Sequence, residues 1–348
     1  MKNKISNKKS FLSKLFIKLI RKFGYEVIDQ ANLEIQGINQ TANENVSQSG
    51  IKSITVPLGS TKIKNSVNSL CIIIRSYTFG DVKDEKVMLD QNKQRIYELP
   101  KIEYTVRTIN SIIKSCEHAK KNFKNLDVNI IVTDDKSNPE SLERISKILN
   151  QTSLKTKIVS LDEKEFINEI NLKDINGNEI SKNMVSNMKN ILKSIQISQE
   201  ENSDLFYFLE DDYVHTKNAI TEMLFSYEKL STQLERDLFL CPADYPYLYS
   251  NIENTKIFYG NQRHWRIIKE TLVTFLTSKN MIKKYLNDLK MMGQIRHHPF
   301  ELKLHKIYEK EFCLSPIPSL AMHVTNINSI YGLPPNFDWK KIWDENEI

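Results

Sequence analysis

Three consecutive carboxylates, Glu210, Asp211 and Asp212, close the run Asp204-Leu-Phe-Tyr-Phe-Leu-Glu-Asp-Asp-Tyr213. An aromatic-rich apolar segment of this length reads as a buried strand in the middle of a parallel sheet. A carboxylate left unpaired inside such a core is costly, so the acids must sit where the strand emerges, beside a metal ion or basic groups. The carboxyl end of a central strand is also where open α/β sheets bind ligands. The pattern therefore predicts a metal–phosphate site. The non-chemical alternative is an acidic approach to a helix capped by Thr216.

A second acidic strand end precedes it. Val128–Thr133 is apolar and β-branched and is closed by Asp134-Asp135-Lys-Ser-Asn-Pro. Between and around these runs, strands and helices alternate: a strand at Leu70–Ile74 ending in Arg75-Ser76-Tyr77, a polar loop over 79–101, and a helix near 103–123. A helix near 139–150, a strand at Lys157–Leu161 and a helix near 183–198 follow. Such alternation predicts an α/β fold, a mostly parallel, Rossmann-like sheet flanked by helices. Two acidic strand ends would then lie along one edge of that sheet.

Composition bounds the rest. The chain has 348 residues, 40% apolar and 26% charged, an ordinary globular balance with ample core material. Its net charge of +6 is concentrated at one end: residues 1–25 hold eight Lys/Arg and no acid, so the remainder carries about −2 and is no basic nucleic-acid binder. Four scattered cysteines (Cys71, Cys116, Cys241, Cys313) without a C-x-x-C pair point to reduced, buried thiols in a cytoplasmic protein. No secretory signal or membrane-spanning run is expected.

Over residues 11–23, Phe11, Leu12, Leu15, Phe16, Leu19 and Phe23 share one helical face, with Lys14, Lys18, Arg21 and Lys22 on the rest. Residues 1–28 are thus expected to form a basic amphipathic helix suited either to an anionic membrane surface or to packing on a protein. The polar stretch 29–66 reads as a flexible linker, and residues 67–348 as the folded domain.

Over residues 69–330 the pattern resembles GT-A glycosyltransferases, of the family 2 kind. The first strand with Arg75-Ser76-Tyr77 matches their nucleotide-binding turn. Asp134-Asp135-Lys-Ser137 matches the acidic turn that contacts base or ribose, with Lys136 where Gly is common. Phe-Leu-Glu210-Asp211-Asp212 matches the DXD motif. The resemblance implies a nucleotide-sugar donor, Mn2+ or Mg2+ held by Asp212, and Asp211 on the donor nucleotide side. It also implies a glycan or lipid-linked acceptor in surface-polysaccharide synthesis, on the inner face of the plasma membrane if the N-terminal helix docks there. Hard cations with carboxylate ligands suit the departure of a diphosphate.

The same resemblance implies a carboxylate base at a helix start, for which Glu301 stands first and Glu270 in reserve, favouring inversion. It also implies a late histidine, His323, as a further metal ligand. Glu210 is assigned to the sugar. Among residues read directly, Trp265 between Arg263 and Arg266 offers a flat face for a sugar, or a half-buried structural ring, and Asp244 could bind a sugar hydroxyl. His297 and His298 lack the partners of a zinc site. Two other functions fit the pattern less well. A sugar-phosphate nucleotidyltransferase would call for a more Gly-rich first turn, and an inert membrane adaptor would keep only the fold.

Overall fold

The computed structural model describes residues 11–25, 53–56, 59–78, 96–250, 254–325 and 329–348. The expected linker over 29–52 and most of the polar loop, 79–95, lie outside the described residues. Two compact units emerge, Met1–Lys62 and Ile63–Ile348. In the first, α1 (Phe11–Lys22) leaves Phe11, Leu12, Leu15, Phe16 and Leu19 exposed and has Arg21 and Lys22 in its last turn. Within the stretch read as linker, β1 (Ser53–Val56) and β2 (Gly59–Lys62) pair as an antiparallel hairpin.

The second unit follows the alternating pattern. Its elements are β3 (Ser69–Ser76), α2 (Lys101–Asn122), β4 (Asp127–Asp134), α3 (Pro139–Leu149), β5 (Lys155–Ser160), α4 (Lys182–Glu200), β6 (Leu205–Glu210) and β7 (Tyr213–His215). Then come α5 (Ala219–Leu234), β8 (Phe239–Leu240), β9 (Ile257–Tyr259), β10 (His264–Ile268), β11 (Phe275–Ser278), α6 (Lys279–Lys284), α7 (Leu286–Gln294), α8 (Leu302–Tyr308), β12 (Cys313–Ile317), β13 (Ala321–His323) and α9 (Trp339–Asp344).

Nine strands form one sheet in the order β5-β4-β3-β6-β11-β8-β12-β10-β9. The first four run parallel, as the apolar runs separated by helices predict. Beyond β6 the sheet turns mixed, with β11 antiparallel to both β6 and β8 and β10 antiparallel to β12. These later strands are short, two to five residues. Neighbours supply their burial, so they leave no autonomous sequence signal.

The core explains the order. Leu70–Ile74 and Leu205–Leu209 are buried throughout, because helices cover both faces of these central strands. On α2 the stripe Val106, Ile109, Ile112 and Ile113 is buried at helical spacing. Each such aliphatic side chain contributes roughly 1.5–3 kcal/mol relative to leaving it exposed. The four cysteines are all buried and free, as their scatter predicts. Burial pushes the Cys71 thiol up to about 12, which makes it an inert core group rather than a nucleophile.

From β3 the chain proceeds outward through β4 to β5, then returns to the other side of β3 as β6. That reversal creates the crevice where open α/β sheets take ligands.

Candidate active site

Strand register assembles the site. Arg75 lies opposite Glu210 across β3 and β6, and Ser76 lies opposite Asp134 across β3 and β4. The three strand ends expected to carry chemistry therefore meet at the reversal point. Arg75 is buried, and its Nη2 reaches Glu210 Oε1 at 3.1 Å while its Nη1 donates to the Val273 carbonyl. Thr274 Oγ1 donates to the other Glu210 oxygen at 3.1 Å. Glu210 is thus held by an ion pair with Arg75 and a hydrogen bond from a hydroxyl at the rim.

Asp134 and Asp135 differ in their partners. Asp134 accepts from the Ser137 amide at 3.1 Å and from the Ser137 hydroxyl, which closes the turn after β4. Burial raises its pKa despite these bonds, and the Asp211 charge adds to the rise. Asp135 points instead into α4, where Ser186 Oγ and Lys189 Nζ meet it, the latter at 3.3 Å. It is 1% exposed and serves to pin α4 under the sheet. Asn190 on the same helix donates to the Ser76 carbonyl, which fixes the turn after β3. The Tyr77 hydroxyl donates to Asn183 at 2.9 Å.

Asp211 and Asp212 occupy the turn between β6 and β7. Asp211 accepts from the Tyr77 amide at 3.3 Å and Thr105 Oγ1 at 2.9 Å, and Lys101 Nζ lies 2.7 Å from it. The same ammonium is 3.1 Å from Asp212. Lys101 and Thr105, one turn apart at the start of α2, thereby face the acidic turn together.

His323 completes this edge. Pairing of β13 with β7 sets His323 opposite Tyr213, and the two rings stack at 4.7 Å. The Nδ1 of His323 is 2.9 Å from the Tyr331 carbonyl, and a carbonyl can only accept, so Nδ1 carries the proton. The Nε2 then faces Asp212 Oδ1 at 3.5 Å. Two lone-pair donors facing each other need a cation between them, either a second proton on the ring or a metal ion. Burial alone would lower the His323 pKa, but Asp212 and then Glu210 outweigh it and the net direction is upward. Among the described residues no group of three or more His, Cys, Asp or Glu side chains is placed to hold a metal. Asp212 and His323 nevertheless offer an oxygen and a nitrogen that would suit a hard or borderline divalent ion.

Glu301 precedes α8, half-buried and near enough to Glu210 and Arg75 for their charges to act on it. Burial raises its pKa to about 7, and the Glu210 charge pushes in the same direction. A carboxyl poised near neutrality is suited to general-base work. The reserve candidate, Glu270, is exposed and accepts from the Tyr331 hydroxyl at 3.2 Å.

Two expected sugar contacts are corrected by their surroundings. Trp265 is fully enclosed, at 0% exposure, because β10 is paired on both sides by β12 and β9. Its Nε1 lies 3.4 Å from Glu222, a buried carboxylate that also takes the amides of Asn261, Gln262 and Arg263. The ring presents no face to a sugar. Asp244 is 1% exposed and bonded to Arg266 and to the Tyr249 hydroxyl, so its oxygens are already committed. Burial raises its pKa in spite of both partners. The histidine pair divides: His297 meets the Ile295 carbonyl and His298 meets Asp174.

The Trp265 pocket carries a stability prediction. A Cβ on Gly260 would come within 2.4 Å of Ser226 Oγ and of Trp265 Nε1. Gly260→Ala should therefore destabilise the fold by about 1–3 kcal/mol through overpacking, read as a lowered denaturant midpoint at unchanged slope.

Sequence reasoning did not single out Lys101, Thr105 or the Tyr331 carbonyl. The signal for the first two was available: Pro100 precedes a helical stripe, which places Lys101 and Thr105 one turn apart on its opening face.

No family model matches the sequence, and no curated protein matches it. Among solved structures the chain is similar to GalNAc-T7 with UDP, GalNAc and Mn2+, at 11% identity and TM-score 0.44, covering 83% of this chain and 51% of that one. It is also similar to TarS of S. aureus, at 11% identity and TM-score 0.35, covering 62% of this chain and 29% of that one. UDP-glucose pyrophosphorylase complexed with UDP-glucose matches at 8% identity and TM-score 0.37, covering 80% and 96%. The chain thus spans less than a third of TarS and about half of GalNAc-T7.

Proposed function

We propose that this protein is a metal-dependent glycosyltransferase that takes a sugar from a nucleotide diphosphate donor and delivers it, with inversion, to a glycan or lipid-linked acceptor. The observation that carries the proposal is the facing pair Asp212 Oδ1 and His323 Nε2 at the strand reversal point, with Glu301 near enough to Glu210 for its charge to act on it. The donor nucleotide lies along Arg75, Ser76, Tyr77 and Asp134, with Asp135 and Asp211 acting from beneath as holders of that turn.

Asp212 and His323 would hold the divalent ion, Mn2+ or Mg2+, which would supply Lewis-acid stabilisation of the departing diphosphate. Arg75 pairs with Glu210 and orients it toward the sugar. Glu301, deprotonated, accepts the proton of the acceptor hydroxyl at its carboxylate oxygen. Acceptor contacts fall to the neighbourhood of Glu270 rather than to Trp265 or Asp244.

The test is a thermal-shift screen of UDP-, GDP-, dTDP- and CMP-sugars with and without Mn2+. One donor class should raise the melting temperature in a concentration-dependent way, and only with the ion. A flat response across all donors would overturn the proposal. Pyrophosphate release from a nucleoside triphosphate and a sugar phosphate would instead identify a nucleotidyltransferase.

The N-terminal helix adds a location, the inner face of an anionic membrane. No helix among the described residues is long and apolar enough to cross one. The exposed apolar stripe of α1, flanked by Lys14, Lys18, Arg21 and Lys22, suits insertion at the headgroup level. Each basic side chain near such a surface contributes about 1 kcal/mol. Replacing all four by Gln should weaken co-sedimentation with phosphatidylglycerol vesicles by about two to three orders of magnitude. Equal binding of wild type and variant would remove the membrane assignment and leave a protein partner.

A further inference from the structure

The position of Lys101 has a meaning beyond the metal pair itself. Its ammonium touches both carboxylates of the acidic turn, Asp211 at 2.7 Å and Asp212 at 3.1 Å. It is little exposed, at 14%, and it projects from the first residue of a 22-residue helix whose positive end faces the same turn. The two contacts are unequal. Asp211 also accepts from the Tyr77 amide and the Thr105 hydroxyl, so it stays fixed if the ammonium moves. Asp212 faces the ammonium with one oxygen and the imidazole edge of His323 with the other, and it is the carboxylate the divalent ion needs.

We propose that Lys101 is the resident counter-cation of Asp212, which a divalent ion must displace on entering the site. Resting on the metal role of Asp212 and His323 argued above, this goes further by naming the group that sets metal affinity. A bound ion and an ammonium cannot share Asp212 at contact distance without strong like-charge repulsion. Entry of the ion therefore breaks the 3.1 Å contact and leaves Lys101 anchored on Asp211. From there its charge remains beside the diphosphate subsite. The enzyme is then kept metal-poor until a donor brings phosphate oxygens to complete the coordination. Lys101 acts through Asp212 and is a positioning residue.

The experiment is Mn2+ binding to the full chain without nucleotide, followed by the electron paramagnetic resonance of the free ion. Lys101→Met should bind Mn2+ at least about tenfold more tightly than wild type, because the competing charge is gone. Lys101→Arg, which keeps the charge, should stay near wild type. In parallel, Mg2+ titration of the wild type should move the 15N resonance of the Lys101 ammonium, a readout that needs no variant and no turnover. Affinity of Lys101→Met within twofold of wild type, or weaker, together with a stationary Lys101 resonance, would overturn the proposal. Absence of ion binding in both proteins would overturn it too. Donor binding in the thermal-shift screen decides the transferase reading separately.

Discussion

Asp212→Asn should abolish Mn2+-dependent turnover, with a fall in kcat/KM of about a thousandfold, while leaving the fold intact. The asparagine is isosteric and can still meet Lys101, so the turn between β6 and β7 survives. What disappears is the anionic oxygen facing His323 Nε2 at 3.5 Å. The imidazole would then face a neutral amide, and the charge that raises its pKa would be lost. The decisive comparison is Mn2+ binding by electron paramagnetic resonance beside turnover with whichever donor the thermal screen identifies. Unchanged ion affinity in the variant would remove Asp212 from the metal site. A parallel Asp135→Asn variant separates chemistry from support. Asp135 meets Ser186 and Lys189 beneath the sheet, so that change should lower the melting temperature without touching ion affinity.

Glu301→Gln should lower kcat by about a hundredfold to ten-thousandfold and abolish the pH dependence of the wild type near neutrality. The wild-type carboxyl titrates at about 7 in the folded protein. As a base it works only when deprotonated, so the rate should rise with pH through about 7 and then level. Stability runs the other way. A carboxyl whose folded pKa stands above its unfolded value binds more protons in the folded state. Its contribution is therefore fully present below the unfolded pKa and is lost as pH rises through the folded value. Over that window the wild type should lose about 1–3 kcal/mol relative to Glu301→Gln. The glutamine variant should then be the more stable protein at pH 8 and the less active one. A variant that kept both the rate and the pH profile would shift the search for a base to Glu270.

The sequence made the first half of the site legible because local signals there coincide. An apolar run that stops at Glu210 needs no tertiary knowledge to be placed at a strand end, and Asp134 follows the same logic. Arg75 belongs with them, since a charge after Leu70–Ile74 must find a partner where the strand emerges, and Glu210 is that partner. The failures share a cause. Neighbours along the chain do not reveal how Trp265 and Asp244 are enclosed, because tertiary pairing sets burial at both. Pairing with β12 and β9 encloses Trp265, and Arg266 with Tyr249 consumes Asp244. Lys101 was hidden by the reverse effect. A lysine at the end of a polar stretch reads as solvated, until the helix it begins is docked against the acidic turn.

The direct register of Arg75 with Glu210 and of Ser76 with Asp134 means that no local segment of this protein owns the candidate site. Its contacts join residues more than a hundred positions apart, such as Thr105 with Asp211. A slip of β6 by one residue would send Glu210 to the opposite face of the sheet. Assembly of the candidate site is thereby tied to completion of the sheet as a cooperative unit. A bound donor would stabilise the central strands as a whole and slow amide exchange across β3, β4 and β6, rather than order a single loop.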